Sequence, residues 1–280
     1  MKTHNVDDAP FTQFFRNVHS QNGEDGVIEE VLNRIGWSNL ALWAAEFGAW
    51  DGRHLSNTFS LVESKNFNAV FIEGDTDKFK DLVTTVNEFP KIIPVQAFVA
   101  SRSEHINSLD RLFAQTEIPD DFDVLSIDID SFDLDIWESL INYHPKIVVI
   151  EINSSIMPGI LSRHNKIYNG NSFSSSLQVA SQKNYSLVCH TGNCIFVRMD
   201  LVPLLRIPKR YIDYPELMFK YVPMWMPSDK STVRLILQKI LQKILPLLRK
   251  ILPLKLKTLI IKIYMAPTLL RISLLKDSEP

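Results

Sequence analysis

The chain has 280 residues, of which 45% are hydrophobic and 22% are charged, a composition typical of a soluble globular protein. This length allows one well-buried domain and an additional segment. Two cysteines, Cys189 and Cys194, flank a predicted turn and suggest neither a disulfide framework nor a zinc cluster, so we expect reduced thiols in a cytoplasmic protein. The first residues contain no apolar signal segment, which agrees with that expectation.

The formal net charge of −2 is unevenly distributed along the chain. Residues 230–280 contain eleven Lys or Arg against Asp277 and Glu279, so this segment carries +9 and the remainder −11. An acidic body joined to a basic segment predicts that the segment has a partner of its own.

Apolar runs alternate with segments of helical periodicity from residue 42 onward. The runs cover residues 42–50, 69–75, 92–100, 124–130 and 147–153. Helices are predicted to start near Ser56, at Thr76 and near Asp133, and a last one covers residues 173–183. This alternation predicts parallel strands with helices on both faces of the sheet.

Two further runs, 186–190 and 194–198, are separated by Thr191, Gly192 and Asn193, which predicts an antiparallel hairpin. The predicted fold class is therefore α/β, a doubly wound, seven-stranded, mostly parallel sheet followed by a C-terminal amphipathic helical tail. Ligands of such sheets bind at the carboxyl ends of the strands.

The ends of the first two strands carry the pattern of a nucleoside site. Gly48 and Gly52 allow close backbone approach, Asp51 lies between them, and Glu73 ends the next strand, where it can accept both hydroxyls of a ribose. The fingerprint G-x-G-x-x-G is missing and an acidic residue would repel a diphosphate, so a cationic cofactor such as S-adenosylmethionine is favoured over a nicotinamide dinucleotide. Alternatively, Glu46 and Asp51 only cap the helix and solvate the turn.

The order of these motifs resembles the FkbM-like, S-adenosylmethionine-dependent methyltransferases of the class I, Rossmann-like superfamily. The resemblance extends over roughly residues 18–200. It rests on SQNGEDG at 20–26, EFGAWDG at 46–52, IEGD at 72–75, LSIDID at 125–130, WESL at 137–140 and VIEIN at 149–153.

The resemblance implies a set of cofactor-binding residues: Gln21, Glu24, Gly48, Asp51, Gly52, Glu73 and Asp128. The glycine turn would line the methionine part of the cofactor and Glu73 the ribose. Asp128 would close the pocket beneath the sulfonium, and the segment before the first strand would fold over it.

Carboxylates at the ends of the fourth and fifth strands are the candidate catalytic groups. Asp128, Asp130 and Glu151 would converge at one edge of the sheet, where they could remove a proton or bind Mg²⁺ or Mn²⁺. Alternatively, Asp130 and Asp133 cap the next helix and Glu151 pairs with a nearby base or Asn. His190, at the end of the sixth strand, is a candidate general base or metal ligand, although a satisfied structural histidine is the commoner case.

Two segments outside the sheet have predicted roles. Residues 154–172, rich in Ser, Asn and Gly, form either a substrate lid or a disordered insertion. Residues 230–280 predict cationic amphipathic helices, interrupted by Pro246, Pro253 and Pro267, that lie on an anionic membrane. Alternatively, this segment is an arm that packs on the body or on a second subunit of a homo-oligomer. We expect no nucleic-acid partner.

The predicted organisation is an N-terminal helical segment capping the cofactor site (1–40), a Rossmann-like methyltransferase domain (41–205), a linker (206–229) and a basic amphipathic helical tail (230–280). We expect a cytoplasmic enzyme, peripheral on the cytoplasmic membrane face, that O-methylates a small-molecule or glycan acceptor. The resemblance favours a hydroxyl of a sugar, or of a polysaccharide or lipid-linked glycan precursor. The alternative is a non-catalytic Rossmann-like module tethered to a membrane or partner by the tail.

Overall fold

The computed structural model describes residues 9–129, 131–165 and 169–222. Within these residues seven strands form one sheet, and most of their side chains are buried because helices cover both faces. The strands are β1 (Trp43–Phe47), β2 (Asn68–Glu73), β3 (Ile92–Gln96), β4 (Val124–Ile127), β5 (Ile147–Glu151), β6 (Tyr185–His190) and β7 (Asn193–Arg198).

The α-helices follow the strands in alternation as far as β6. They are α1 (Glu24–Ile35), α2 (Phe59–Lys65), α3 (Thr76–Glu88), α4 (Leu109–Phe113), α5 (Asp133–Ser139), α6 (Phe173–Gln182) and α7 (Lys209–Asp213). Side-chain oxygens start two of them: Asp75 accepts hydrogen bonds from two backbone amides of α3, and Ser172 accepts one from α6.

The strand order is β3-β2-β1-β4-β5-β7-β6, with β7 antiparallel to both of its neighbours. The chain moves outward from β1 to β3 and then returns to place β4 on the other side of β1. Phe47 at the end of β1 lies in register with Ile72 of β2 and Ile127 of β4. This reversal of strand order opens a crevice at the carboxyl ends of the strands, and the predicted α/β class with a doubly wound, seven-stranded, mostly parallel sheet is confirmed.

Alternate strand residues point to opposite faces and enter separate cores. On one face Phe47 and Ile150 pack with Trp137 of α5 and with side chains of α4 and α6. On the other face Ala44 and Val149 pack against α1, and β2 residues pack against α2 and α3. Helices therefore cover both faces of β1 and β5, so the carboxyl ends of these strands remain accessible.

Several strands end earlier than the apolar runs predicted. β1 ends at Phe47, because Gly48 has φ +79° and Trp50 has φ +47°, both incompatible with extended backbone. β3 ends at Gln96 and β4 at Ile127, so the remaining apolar residues of these runs belong to loops at the carboxyl edge. Helix α2 begins at Phe59, a few residues after the predicted start.

The predicted tail at 230–280 lies outside the described residues. The described residues belong to one compact unit within Met1–Trp225. Among them, no helix combines the length and the apolar character that crossing a membrane requires. The predicted division into four segments stays a prediction.

A candidate active site at the carboxyl ends of the strands

A cleft of about 820 Å³ opens where β1, β2, β3, β4 and β5 end. Five of the predicted site residues line it: Gln21, Gly48, Glu73, Asp128 and Glu151. Because the sheet is parallel up to β5, side chains far apart in the sequence meet at this edge.

Glu73 forms part of the cleft wall at the end of β2. Its Oε2 accepts the backbone N–H of Trp50 at 2.9 Å, and its Oε1 accepts that of Asp75 at 2.8 Å. The carboxylate is nearly buried, yet it borders the cleft. Two backbone donors therefore hold a negative charge in one orientation at the cleft surface.

Gly48 brings the end of β1 against the end of β4. A β-carbon at this position would lie 1.9 Å from the carbonyl oxygen of Asp128, and the residue has φ +79°. Glycine is required here both for its backbone conformation and for the space. The cleft floor between the two strands is thus backbone rather than side chain.

Glu46 organises the loop between β1 and α2. Its carboxylate accepts hydrogen bonds from Ser56 Oγ at 2.7 Å and from the Thr58 amide at 3.1 Å and hydroxyl at 2.5 Å. Burial raises the pKa of Glu46, and these donors oppose that effect. The side chain borders the cleft as well, so the capping role considered for Glu46 coexists with a position at the site.

Asp51 and Gly52 are not part of the cleft lining. Asp51 Oδ1 accepts the backbone amides of Arg53 at 2.9 Å and His54 at 2.7 Å, which is the turn-solvating role considered as the alternative. Gly52 has φ +80°, and a β-carbon there would meet the side chains of Phe71 and Leu82. Both residues shape the turn that presents Trp50 to the cleft.

Glu24 lies beneath the segment that carries Gln21. It is fully buried and accepts hydrogen bonds from the Asn22 amide at 2.8 Å and from Thr191 Oγ1 at 2.5 Å. This carboxylate ties the start of α1 to the turn between β6 and β7. It positions the segment over the cleft but does not line the cleft itself.

Asp128 and Glu151 face the same cleft from the neighbouring strands β4 and β5. Asp133 holds the loop after β4, because its two oxygens accept the amides of Ile129 and Ser131, each at 2.8 Å. Asp130 lies outside the described residues. In the described part of the chain, no group of three or more His, Cys, Asp or Glu is arranged to hold a metal ion.

His190 is buried away from the cleft lining. Its Nδ1 accepts the backbone N–H of Lys220 at 2.9 Å, so the neutral ring carries its proton on Nε2, which lies 3.0 Å from Ser154 Oγ. The ring stacks on Phe219 with centroids 5.3 Å apart. Burial lowers the pKa of His190 to about 4, so the ring is neutral at ordinary pH. Both nitrogens have internal partners, which matches the alternative of a satisfied structural histidine.

Two exposed aromatic side chains at the cleft rim, Phe98 and Phe132, were not singled out from the sequence. The Phe98 ring is 74% exposed and lies directly on Gly74, where a β-carbon would come within 2.3 Å of it. Phe132 is exposed on the β4 side of the rim, and its ring contacts that of His164 at 4.8 Å. Phe98 belongs to the apolar run 92–100, and its position two residues beyond β3 is the only sequence signal.

The loop after β5 is attached to the body at several points. Asn171 Nδ2 donates to Ser131 O at 3.3 Å, and within the loop itself Asn153 Nδ2 donates to Asn169 O at 2.7 Å. Arg163 forms ion pairs with Asp135 at 2.8 Å and Glu138 at 2.6 Å on α5. The described residues of this loop are therefore held against α5 and the loop after β4.

Charge is divided within the cleft. Carboxylates of Glu46, Glu73, Asp128 and Glu151 surround the ends of the central strands, whereas Lys78 of α3 and Arg102 of the loop after β3 lie at the exposed rim together with the Asp75 carboxylate. A site of this kind favours a ligand that brings hydroxyl donors and positive charge to the strand ends.

No protein-family model matches the chain, and no curated protein sequence does either. Solved structures of similar fold include the N-terminal domain of EvdMO1 with SAH bound (10% identity, 65% of this chain and 82% of that chain, TM-score 0.40). Others are the glycopeptide N-methyltransferase MtfA with S-adenosyl-L-methionine (12%, 65% and 96%, 0.40) and a SAM-dependent methyltransferase from Aquifex aeolicus (12%, 61% and 87%, 0.38). At these values the likeness concerns the fold alone.

Proposed function

We propose that the chain is an S-adenosylmethionine-dependent methyltransferase whose cofactor lies in the cleft at the carboxyl ends of β1, β2 and β4. The observation that carries this proposal is the orientation of Glu73. Its two oxygens each accept one backbone N–H and retain lone pairs for further donors. Two adjacent hydroxyls of a ribose match such a carboxylate.

The residues present fit the rest of this cofactor. Gly48 places no side chain on the floor of the cleft between β1 and β4, and the surrounding carboxylates favour a sulfonium and an ammonium over a diphosphate. When bound, the cofactor supplies an activated methyl group. The protein then has to align an acceptor in line with that methyl and exclude water.

Proton removal is assigned to the carboxylates that face the cleft. Asp128 and Glu151 border it from adjacent strands, so either can accept the proton of an acceptor hydroxyl within reach.

Membership of the FkbM-like group and a sugar or lipid-linked glycan acceptor rest on the sequence motifs. O-methylation follows from the same resemblance.

A divalent cation is a separate part of the proposal. Asp128 and Glu151 would supply two oxygen ligands, and Asp130, outside the described residues, would supply a third. Calorimetric titration with Mn²⁺ tests this directly: Asp128→Asn should abolish the heat of binding seen with the native chain. Equal heats in both proteins would remove the cation from the proposal.

A tethered module without catalytic activity is the alternative. It requires no affinity for a methyl donor, whereas the proposed enzyme binds S-adenosylmethionine through Glu73. Affinity for the cofactor therefore separates these two functions before any acceptor is known.

The decisive experiment is calorimetric titration of the full chain with S-adenosylmethionine. Glu73→Gln should weaken binding at least about tenfold, because a hydrogen bond to a charged group contributes roughly 1.5–3 kcal/mol. Asp77→Asn, a change of the same kind at an exposed residue outside the cleft, is the matched control and should bind like the native chain.

Glu73 also accepts hydrogen bonds from two backbone amides. Thermal melting of each variant therefore checks whether the substitution has destabilised the fold around these amides. Equal affinity of native and Glu73→Gln proteins, or binding of NADH in place of S-adenosylmethionine, would overturn the proposal.

A further inference from the structure

The loop after β5 carries an exposed apolar turn, residues 157–161, called here the apolar tip. Met157 is 55% exposed, Ile160 52% and Leu161 64%. The surrounding residues 152–162 contain no charged side chain. Single exposed apolar residues are ordinary on protein surfaces, but three within five residues form a patch that indicates an interaction.

The backbone holds the tip in one shape. Ile160 N donates to Met157 O at 3.3 Å, with Pro158 and Gly159 between them and φ +89° at Gly159, which matches a type II β-turn. Gly159 N donates to Ser174 Oγ at 2.7 Å, and Ser162 N donates to Ser172 Oγ at 3.0 Å. The apolar side chains are thus presented outward by an anchored turn.

The tip lies at the same edge of the sheet as the cleft. It follows the carboxyl end of β5, and Arg163 next to it is paired with α5. His164 contacts Phe132, which lines the cleft. Trp50 and Phe98 are also exposed along the cleft, so apolar side chains are concentrated around its opening.

We propose that the apolar tip inserts into an anionic lipid surface and turns the opening of the cleft toward it. Burial of three aliphatic side chains gives weak, reversible membrane binding. Stable attachment requires a second, electrostatic signal, and residues 230–280 carry a net charge of +9. The rest of the chain carries −11, so it is this basic segment whose charge complements anionic lipid and selects it as the occupant.

This inference deepens the proposed function, because a lipid-linked acceptor would reach the cleft from the membrane, and it rests on that function for the acceptor alone. The site of insertion is tested without any methyl donor. Cofactor affinity, measured on the same variants, reports on the proposed function separately.

The first test is sedimentation of the full chain with vesicles of equal parts phosphatidylglycerol and phosphatidylcholine. The double variant Ile160→Asp with Leu161→Asp should lower partitioning at least about tenfold. The matched control is Ile141→Asp, since Ile141 is 60% exposed and follows α5 at the opposite edge of the sheet. The control should stay within about twofold of the native chain.

The second test follows insertion itself. Both native cysteines are buried, and burial raises the pKa of each thiol, so a maleimide dye should label an introduced surface cysteine selectively. A polarity-sensitive dye on Ile160→Cys should shift to shorter emission wavelengths with these vesicles. The same dye on Ile141→Cys should not shift.

Three results would overturn the inference: no vesicle binding by the native chain, equal partitioning of native and double-variant chains, or no dye shift at position 160. If the dye emission at position 160 shifts with protein concentration in the absence of vesicles, the apolar tip binds a second copy of the chain and not a lipid surface. If vesicle binding depends on the tip but no variant binds S-adenosylmethionine, the inference holds and the proposed function fails.

Discussion

The Gly48 α-carbon approaches the Asp128 carbonyl so closely that a β-carbon on residue 48 would lie 1.9 Å from that oxygen. Asp128 N in turn donates to Phe47 O at 3.4 Å. The ends of β1 and β4 are therefore joined by backbone contacts immediately beneath the cleft. The position of the Asp128 carboxylate depends on a residue 80 positions earlier having no side chain.

Gly48→Ala should destabilise the protein by more than about 2 kcal/mol, since alanine adds a backbone clash to the cost of positive φ. Gly159→Ala is a matched control, because Gly159 has φ +89° but nothing lies within 4 Å of its missing β-carbon. Its loss should stay near 1 kcal/mol, roughly the conformational cost alone. Urea unfolding compares the two variants, and equal losses would contradict the steric interpretation.

The stability of the protein should fall as the pH is lowered from about 6.5 to about 4. The pKa of His190 is about 4 in the folded protein, and that of an unfolded histidine is near 6.5. The unfolded chain therefore binds more protons between these values, and stability decreases with falling pH. Protonation of His190 Nδ1 would also replace the hydrogen bond from the Lys220 amide by a repulsive contact between two N–H groups.

The expected loss from His190 is about 3 kcal/mol, since each whole pKa difference corresponds to about 1.4 kcal/mol. Chemical unfolding at several pH values measures it, and His190→Gln should flatten the pH dependence over this range. His105→Gln, at an exposed histidine, is the control and should leave the slope unchanged. A native slope retained in His190→Gln would assign the effect to other groups.

A buried ion pair holds the opposite edge of the sheet. Lys146 Nζ lies 3.0 Å from Asp123 Oδ1, both side chains are almost fully buried, and Asp123 also accepts the Trp43 amide at 3.0 Å. Lys146→Met would leave a buried carboxylate without its counter-charge and should cost about 3–5 kcal/mol.

The exposed pair of Lys80 with Asp77 provides the comparison for this change. Lys80→Met should alter the free energy of unfolding by less than about 1 kcal/mol. Guanidinium unfolding measures the free energy of unfolding of both variants. Similar losses of stability in Lys146→Met and Lys80→Met would show that burial does not determine how much an ion pair contributes.

Gly74→Ala should weaken the proposed binding of S-adenosylmethionine by about 1 kcal/mol, roughly fivefold, with little change in melting temperature. The added methyl would displace the Phe98 ring, which is free to move because it is mostly exposed. Calorimetry on a double-mutant cycle with Phe98→Ala tests the coupling. Simple additivity of the two losses would show that Gly74 acts independently of the ring.

The strand and helix pattern could be predicted from local chemistry. Apolar runs between turn residues located every strand, and Thr76 and Asp133 began the predicted helices because side-chain periodicity changes from two to between three and four at those points. The apolar runs extend further than the strands do, because the apolar residues that follow Phe47 and Gln96 belong to loops along the cleft.

Assignments within the glycine turn were harder. Asp51 and Glu73 are both acidic residues beside a strand end, yet Asp51 bonds to its own turn and Glu73 borders the cleft. The difference depends on which way each side chain points after the backbone reverses at Gly48 and Trp50, where φ is positive. No local spacing specifies that direction.

By itself, the sequence determined the α/β class, the alternation of elements and the hairpin that ends the sheet, because these follow from short-range periodicity and turn chemistry. Only the tertiary structure decided which polar residues meet: Gln21, Glu73, Asp128 and Glu151 at one cleft, and His190 with Ser154 and Lys220 outside it. Which side chains come together depends on the strand order and on the close approach of β1 to β4, and both are properties of long-range packing.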